Sequence, residues 1–469
     1  MTILDAKTAR FDAGVLIVIV GGGAAGHVAA LAAHSAGVEA LILERDAVPQ
    51  GSTALSSGLI PAAGTKFQRA KNIADSPEQF AADLQRKAKR QADAQLVETI
   101  AREAGPTIDW LADRYAIPFE LVEGFLYPGH SVLRMHGTKR RTGAELMAHL
   151  AAAAAVAGID TMTEATVDAL YADGNRIAGV RIVRPDGGHE SIGCTALVLA
   201  CCGFGGNGEM LRAWIPEMAD ALFMGHTGNK GDGILWGQAL GGAVRHMGAY
   251  QGHGSVATPH NILITWALMM EGGFQVNQRG ARFSNEHGGY SEQAVHVLAQ
   301  PGGIAFDIYD ERLHTLGLTF EDYRDADKAG AIKRADSVDA LAAQLNIDAA
   351  GLRDTFRDVA RLVRAEKPDE FGRDFTGKPA LTPPYYGVRV TGSLFHTQGG
   401  LVVDGSGRVL RADGSRLPNL FAAGGAACGV SGPAVWGYLS GNGLLTAATL
   451  GRLAGQAAAE LARAARSDG

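Results

Sequence analysis

Apolar and polar positions follow several distinct rhythms along the chain. Residues 15–20 (Val-Leu-Ile-Val-Ile-Val) are apolar without a break, the pattern of a strand covered on both faces. The Ala-rich residues 24–36 predict a helix, and the short apolar run 40–43 a second strand. Residues 76–115 carry helical spacing, opened by an N-cap, a first-turn proline and a reciprocal glutamine in Ser76-Pro-Glu-Gln79. Gly105-Pro106 is expected to break that run. A further Ala-rich helix is expected over 143–157. Residues 162–192 alternate polar and apolar around Asp173-Gly-Asn and Pro185-Asp-Gly-Gly, the signature of β-hairpins. A buried strand follows at 196–200, and a helix after 227–233. Charged helices are expected near 308–323 and 337–365, strand–turn patterns at 401–404 and 420–425, and a closing helix over about 443–465.

The chain has 469 residues, too many for one simple core, so two domains are expected. Between 248 and 389 aromatic, histidine and charged residues become frequent, which marks an inserted domain leaving at Pro383-Pro384. The segments 1–247 and 390–469 then form the other domain. A net charge of −6 without a basic stripe argues against nucleic acid. Cys194, Cys201, Cys202 and Cys428 lack metal-ligand spacing, so no metal is expected. No leader pattern and no apolar run of membrane-spanning length is visible, which predicts a cytoplasmic, reduced and soluble protein.

Chemistry enters where the first strand ends. Gly21, Gly23 and Gly26 fit G-x-G-x-x-G: a tight turn, backbone room for a pyrophosphate, and close packing of the next helix. The helix N-terminus then faces the phosphates. Glu44, at the end of the second strand, is placed to accept the hydroxyls of an adenosine ribose. Strand, motif, helix, strand and acid in register point to dinucleotide binding. The hydroxyl-rich stretch 50–61, with Gly51 and Gly58 as pivots, is expected to lie flat and buried along the cofactor, and Asp232 to bond one of its polyol hydroxyls. Residues 119–142, with Tyr127, His130, Arg134, His136, Lys139, Arg140 and Arg141, read as a solvated basic loop.

These motifs resemble, in order, those of the FAD-dependent fumarate reductase/succinate dehydrogenase flavoprotein superfamily, including its 3-ketosteroid dehydrogenase branch. The likeness is carried by 21–26 with Glu44, 51–58, 197–206, Gly231-Asp-Gly233, Arg282-Phe-Ser-Asn-Glu286, His396-Thr-Gln-Gly-Gly-Leu401 and Gly437-Tyr-Leu-Ser-Gly-Asn-Gly-Leu444. The resemblance implies an α/β fold in which a Rossmann-like FAD-binding domain carries an inserted α+β cap. It implies FAD as cofactor, with contacts at Gly21, Gly23, Ala25, Gly26, Glu44, Arg45, Ser52, Thr53, Gly58, Val167, Asp232, Gly425, Gly443 and Leu444, and hydride exchange at flavin N5.

Departures from the family pattern sharpen the expectation. Fumarate reductases carry a proton-donating arginine a few residues after R-F-x-N-E, where this chain has Tyr290. They clamp a substrate carboxylate with an arginine just before L-G-G-N, where this chain has Tyr438. Both changes point to the ketosteroid dehydrogenases, in which one tyrosine acts as base and another holds the ketone. His396 instead matches the substrate histidine of fumarate reductases. The catalytic candidates are Tyr290, Tyr438, His396 and Tyr127. Tyr127, Arg134 or His136 is expected to lower the Tyr290 pKa, and Arg279 and Arg282 to hold Glu286 or the cap. His253 and His260 read as satisfied loop histidines. The expected enzyme desaturates a small cyclic ketone, such as an oxocyclohexanecarboxylate or a 3-ketosteroid-like substrate, with an external electron acceptor. A fumarate-reductase-like enzyme of carboxylic acids, or a flavin-bound assembly or electron-transfer partner, are the alternatives.

Overall fold

A computed structural model describes residues 2–365 and 367–467 of the chain. The uninterrupted apolar run ends the strand Ala13–Val20, whose last four residues are buried. This strand lies in a nine-stranded sheet between two parallel neighbours, with Ile17 opposite Ala40 of Ala40–Leu43 and Ala196 of His189–Leu199. Ile17, Val18 and Ile19 have no exposed surface, and burying side chains of this size contributes about 1.5–3 kcal/mol each. Arg416–Ala422 lies parallel to the far side of His189–Leu199. Thr166–Asp173 and Arg176–Val183 form the expected hairpin at the antiparallel end. The helices Ala24–Ser35 and Asn442–Ser467 pack on each other against this sheet. A Cβ on Gly26 would stand 1.9 Å from the Gly21 carbonyl oxygen, so only glycine lets the first helix settle this close to its strand.

A second, mostly antiparallel sheet of seven strands is built around the long strand Tyr385–Thr397. Tyr250–Ala257 and Ile304–Asp310 pair with it along its length, and Leu222–Phe223 joins it in parallel at Ser393 and Leu394. Strands of this sheet therefore come from either side of the 248–389 span. The architecture is α/β, an FAD-domain sheet with helices and a mixed cap.

Several expected elements are corrected. Gly105-Pro106 breaks nothing: the helix Ala94–Tyr115 runs through it, and the interruption falls between Lys87 and Ala94, where Asp93 caps the new helix. A proline inside a helix costs about 3 kcal/mol. The stripe containing Leu96, Ile100, Ile108 and Leu111 is buried and outweighs that cost at about 1.5–3 kcal/mol per side chain. Residues 304–310 form a strand rather than helix, and the helices begin at Glu311 and Glu321. The 337–365 run divides at Asn346, which takes a left-handed conformation. Residues 119–142 are not a solvated loop. They supply Glu120–Leu121 and Met135–Gly137 to a small sheet with Ile60–Pro61, and Arg134 and His136 are fully buried. Arg134 is neutralised there by Asp75 at 2.9 Å and Asp83 at 2.6 Å.

Candidate active site

A channel runs over the glycine-rich turn and meets an inner cavity between the two sheets, and Ser52, Thr53, Cys202, Gly425 and Ala447 line both. Gly21, Gly23, Ala25, Glu44, Arg45, Val167 and Asp232 also line the channel, whereas Gly58, Gly443 and Leu444 line the inner cavity. Gly26 lines neither and serves packing. The Glu44 carboxylate is fixed by backbone N–H groups, accepting from Gly22 at 2.8 Å and Asp46 at 2.9 Å. Burial raises the Asp232 carboxyl above its usual range, with Arg45 and Lys230 opposing. A strap over 226–229 spans the channel. Its His226 meets Asp46 at 3.0 Å, its Gly228 carbonyl accepts from Arg45 at 2.9 Å, and Asn229 donates to the Ser52 hydroxyl at 2.7 Å. The stretch beginning at Gly51 departs from expectation: Gly51–Ala54 is a short helix, and Leu55 is 55% exposed rather than buried. A side-chain-free floor at a helix N-terminus, followed by an oriented carboxylate, fits an extended dinucleotide such as FAD.

The inner cavity gathers the catalytic candidates. Tyr290, Tyr438, His396 and Tyr127 all line it. Tyr290 opens the helix Tyr290–Leu298, and Tyr438 sits in the turn between Val435–Gly437 and the last helix. Their rings lie 6.1 Å apart at 62°. Burial pushes Tyr290 up to about 12, with the neighbouring Ser440 and Tyr438 side chains opposing. Burial and Tyr290 raise Tyr438 further, against the pull of the Gly443 and Gly441 backbone N–H groups. Arg134 and His136 do not assist Tyr290. Arg134 is spent on the two aspartates, and His136 bonds the Thr65 hydroxyl at 2.8 Å. Burial brings His396 down to about 4, so it is neutral at pH 7. A Cβ on Gly443 would stand 2.5 Å from its Nε2, so the glycine gives the imidazole its place over the last helix.

Cap residues missed at the sequence level complete the wall. His253 is no loop histidine: it lies on Tyr250–Ala257 and stacks on Tyr290 at 4.8 Å. Burial lowers it to about 3. His260 is exposed. Gln251 and His253 share a strand face, and the period of two between them is the signal that would have found both. Trp266 meets His253 edge-on at 5.6 Å and donates its indole N–H to the Glu286 carbonyl at 3.2 Å. Burial alone would raise the Glu286 carboxyl, but Arg373 and Arg282 hold it down at about 2. Arg282 reaches Glu286 at 2.6 Å and Arg373 at 3.0 Å, so the pair holding Glu286 is Arg282 with Arg373, not Arg279. Among the described residues, no helix is long and apolar enough to cross a membrane, and no group of three or more His, Cys, Asp or Glu side chains is placed to hold a metal ion.

Comparison with known proteins agrees with this geometry. The chain is 30% identical over 445 residues to a probable fumarate reductase of Shewanella frigidimarina, covering 95% of this chain and 74% of that protein. It is 27% identical to the 4-oxocyclohex-2-ene-1-carboxylate 5-dehydrogenase of Sinomonas cyclohexanicum, over 57% of this chain and 51% of that one. Among solved structures, the open conformation of a flavocytochrome c3 fumarate reductase superposes with a TM-score of 0.81 at 29% identity, over 97% of this chain and 80% of that chain. A 3-ketosteroid-Δ4-(5α)-dehydrogenase of Rhodococcus jostii shares the fold at a TM-score of 0.77 and 24% identity, over 98% of this chain and 100% of that chain. Residues 17–444 match the family model described as FAD binding domain. The chain therefore belongs to that flavoprotein family and is an FAD-dependent oxidoreductase related to fumarate reductases.

Proposed function

We propose that the protein is a dehydrogenase that introduces a carbon–carbon double bond beside the ketone of a cyclic substrate, of the order of an oxocyclohexanecarboxylate or a 3-ketosteroid-like ring system. The observation that carries this reading is the meeting of Tyr290 and Tyr438, rings 6.1 Å apart, beside the N-terminus of the last helix. FAD would be held by Gly21, Gly23, Ala25, Glu44, Arg45 and Val167 in the channel, by Asp232 at its polyol, and by Ser52, Thr53, Gly58, Gly425, Gly443 and Leu444 toward the inner cavity. When bound, it supplies the acceptor for the β-hydride.

Tyr290 removes the α-proton. Because burial opposes its ionisation, the proton transfer depends on the Ser440 hydroxyl to stabilise the phenolate once substrate claims the Tyr438 proton. Tyr438 donates to the ketone oxygen and stabilises the developing enolate. His396, neutral and fixed over Gly443, contributes a hydrogen bond rather than a charge. The aromatic wall of Tyr127, Trp266 and His253 orients a flat ring and excludes water.

The test is anaerobic mixing of the oxidised protein with a saturated cyclic ketone or with succinate. The ketone is expected to bleach the flavin and succinate to leave it oxidised. A fumarate-reductase-like reaction on carboxylic acids is the second reading, favoured by His396 and by the similarity to fumarate reductases. Bleaching by succinate alone would transfer support to it, and a protein without turnover of its own would react with neither.

A further inference from the structure

The inner cavity has an uneven balance of charge. Among the described residues lining it there is no lysine or arginine, and there is one carboxylate, Asp322. Much of the rest is aromatic, with Tyr127, Trp266, Phe320 and Phe395 in the wall. Both lining histidines are neutral at pH 7, since burial lowers His253 to about 3 and His396 to about 4. Cations on neighbouring segments are already engaged: Lys87 by Glu292, Arg134 by Asp75 and Asp83, and Arg140 by Glu321. Arg141 acts on the Tyr127 hydroxyl without lining the cavity. A carboxylate entering here would lose hydration and find no opposite charge among the described lining residues.

Asp322 occupies the outer end. It is exposed on the helix Glu321–Lys328, as is Leu55 across the same cavity, whereas Tyr290 and Tyr438 are buried. That helix is fixed to the other side of the mouth by Phe320, whose ring lies 5.7 Å from Phe125, and by the Arg140–Glu321 ion pair at 2.5 Å. A ring seated with its ketone at the buried Tyr438 would leave its far substituent for the exposed end of the cavity, which Asp322 lines.

We propose that Asp322 sets the substrate class: it admits uncharged ketones that present a hydroxyl, an amide or another neutral hydrogen-bond donor at the far end, and turns away ketones bearing a carboxylate. This rests on the ketone dehydrogenase reading and narrows it, selecting against an oxocyclohexanecarboxylate. The chemistry is complementary on both counts. A carboxylate accepts a hydrogen bond from a neutral donor, and it repels a second carboxylate across a partly desolvated mouth.

The probes are 4-oxocyclohexanecarboxamide and 4-oxocyclohexanecarboxylate, which differ in charge at one end of the same ring. Oxidised holoenzyme is mixed with each under anaerobic stopped flow at pH 8. Dissociation constants come from the concentration dependence of the first spectral shift, and turnover from bleaching. The amide is expected to bind about tenfold more tightly than the carboxylate, and Asp322→Asn to shrink that ratio at least about threefold, mainly by improving the carboxylate. Equal or tighter binding of the carboxylate, an unchanged ratio in Asp322→Asn, or no measurable amide binding would each overturn the proposal. The two signals separate the readings. Amide preference without bleaching keeps the charge selection and removes the dehydrogenase reading, and bleaching by a carboxylate bound as tightly as the amide does the reverse.

Discussion

Tyr290 concentrates the chemistry at the scale of single residues. Tyr290→Phe keeps the ring that stacks on His253 and deletes the only atom able to take a proton. Its fold and FAD content are expected to match wild type, since one lost hydroxyl costs at most about 1–3 kcal/mol. The rate of flavin reduction by ketone is expected to fall about 10²–10⁴-fold in stopped flow. Tyr438→Phe is expected to weaken ketone binding as well as slow reduction, because it strips a donor from the carbonyl. A structural Tyr290 would give the opposite result, lower stability at an unchanged rate per bound flavin. The pH profile offers a second check. With Tyr290 pushed up to about 12, its ionised fraction rises tenfold per pH unit throughout the neutral and mildly alkaline range. If it is the base, the logarithm of the reduction rate should climb with pH between about 7 and 10 with a slope near one. A flat profile over that range would exclude Tyr290 as the base.

Elements place these residues through pairings that run across the cap. Trp266 hangs from the Glu286 carbonyl, and Glu286 is held by Arg282 on its own turn and by Arg373 from a distant one. Arg373→Met should destabilise the cap by about 3–5 kcal/mol in urea melts at pH 7, the cost of leaving a buried carboxylate short of a partner. The pH dependence follows from the same group. A carboxyl held at about 2 in the folded state and near its ordinary 4.5 when unfolded contributes its stability fully above about pH 5. That contribution is lost as the pH falls toward 2. In Arg373→Met the folded pKa rises, so the loss of stability on acidification should become shallower. An acid limb identical to wild type would show that Glu286 does not draw its stabilisation from Arg373.

At the scale of the whole molecule, the cofactor channel joins the two sheets through the strap, since His226, Gly228 and Asn229 bind Arg45, Asp46 and Ser52 across it. Bound FAD therefore couples to global stability by mass action. A ligand at a thousandfold excess over its dissociation constant adds about 4 kcal/mol. Removing FAD is expected to lower the melting temperature by several degrees, and re-adding FAD to restore it in a concentration-dependent way. A melting temperature unaffected by FAD would place the cofactor's binding energy outside the folded scaffold.

The sequence by itself determined the dinucleotide half of this protein. The strand, the glycine turn, the helix Ala24–Ser35 and Glu44 are consecutive, and their job is done by backbone groups within one βαβ unit, so spacing alone encodes it. Collinear motifs also carry Tyr290, Tyr438 and His396, which line one cavity together with Tyr127 from the stretch read as a solvated loop. Burial and partnership were decided only by the tertiary structure. Arg134 reads as a solvated cation until Asp75, 59 residues earlier, and Asp83 are seen to enclose it. His253 reads as a loop histidine until its strand is paired with Tyr385–Thr397 and its ring laid on Tyr290. The charge state of the two cavity histidines and the position of the one carboxylate among the described lining residues belong to the same class. Local pattern sets which backbone forms a strand or a helix, but the field at a side chain is summed over every element packed around it, and those elements come from distant parts of the chain.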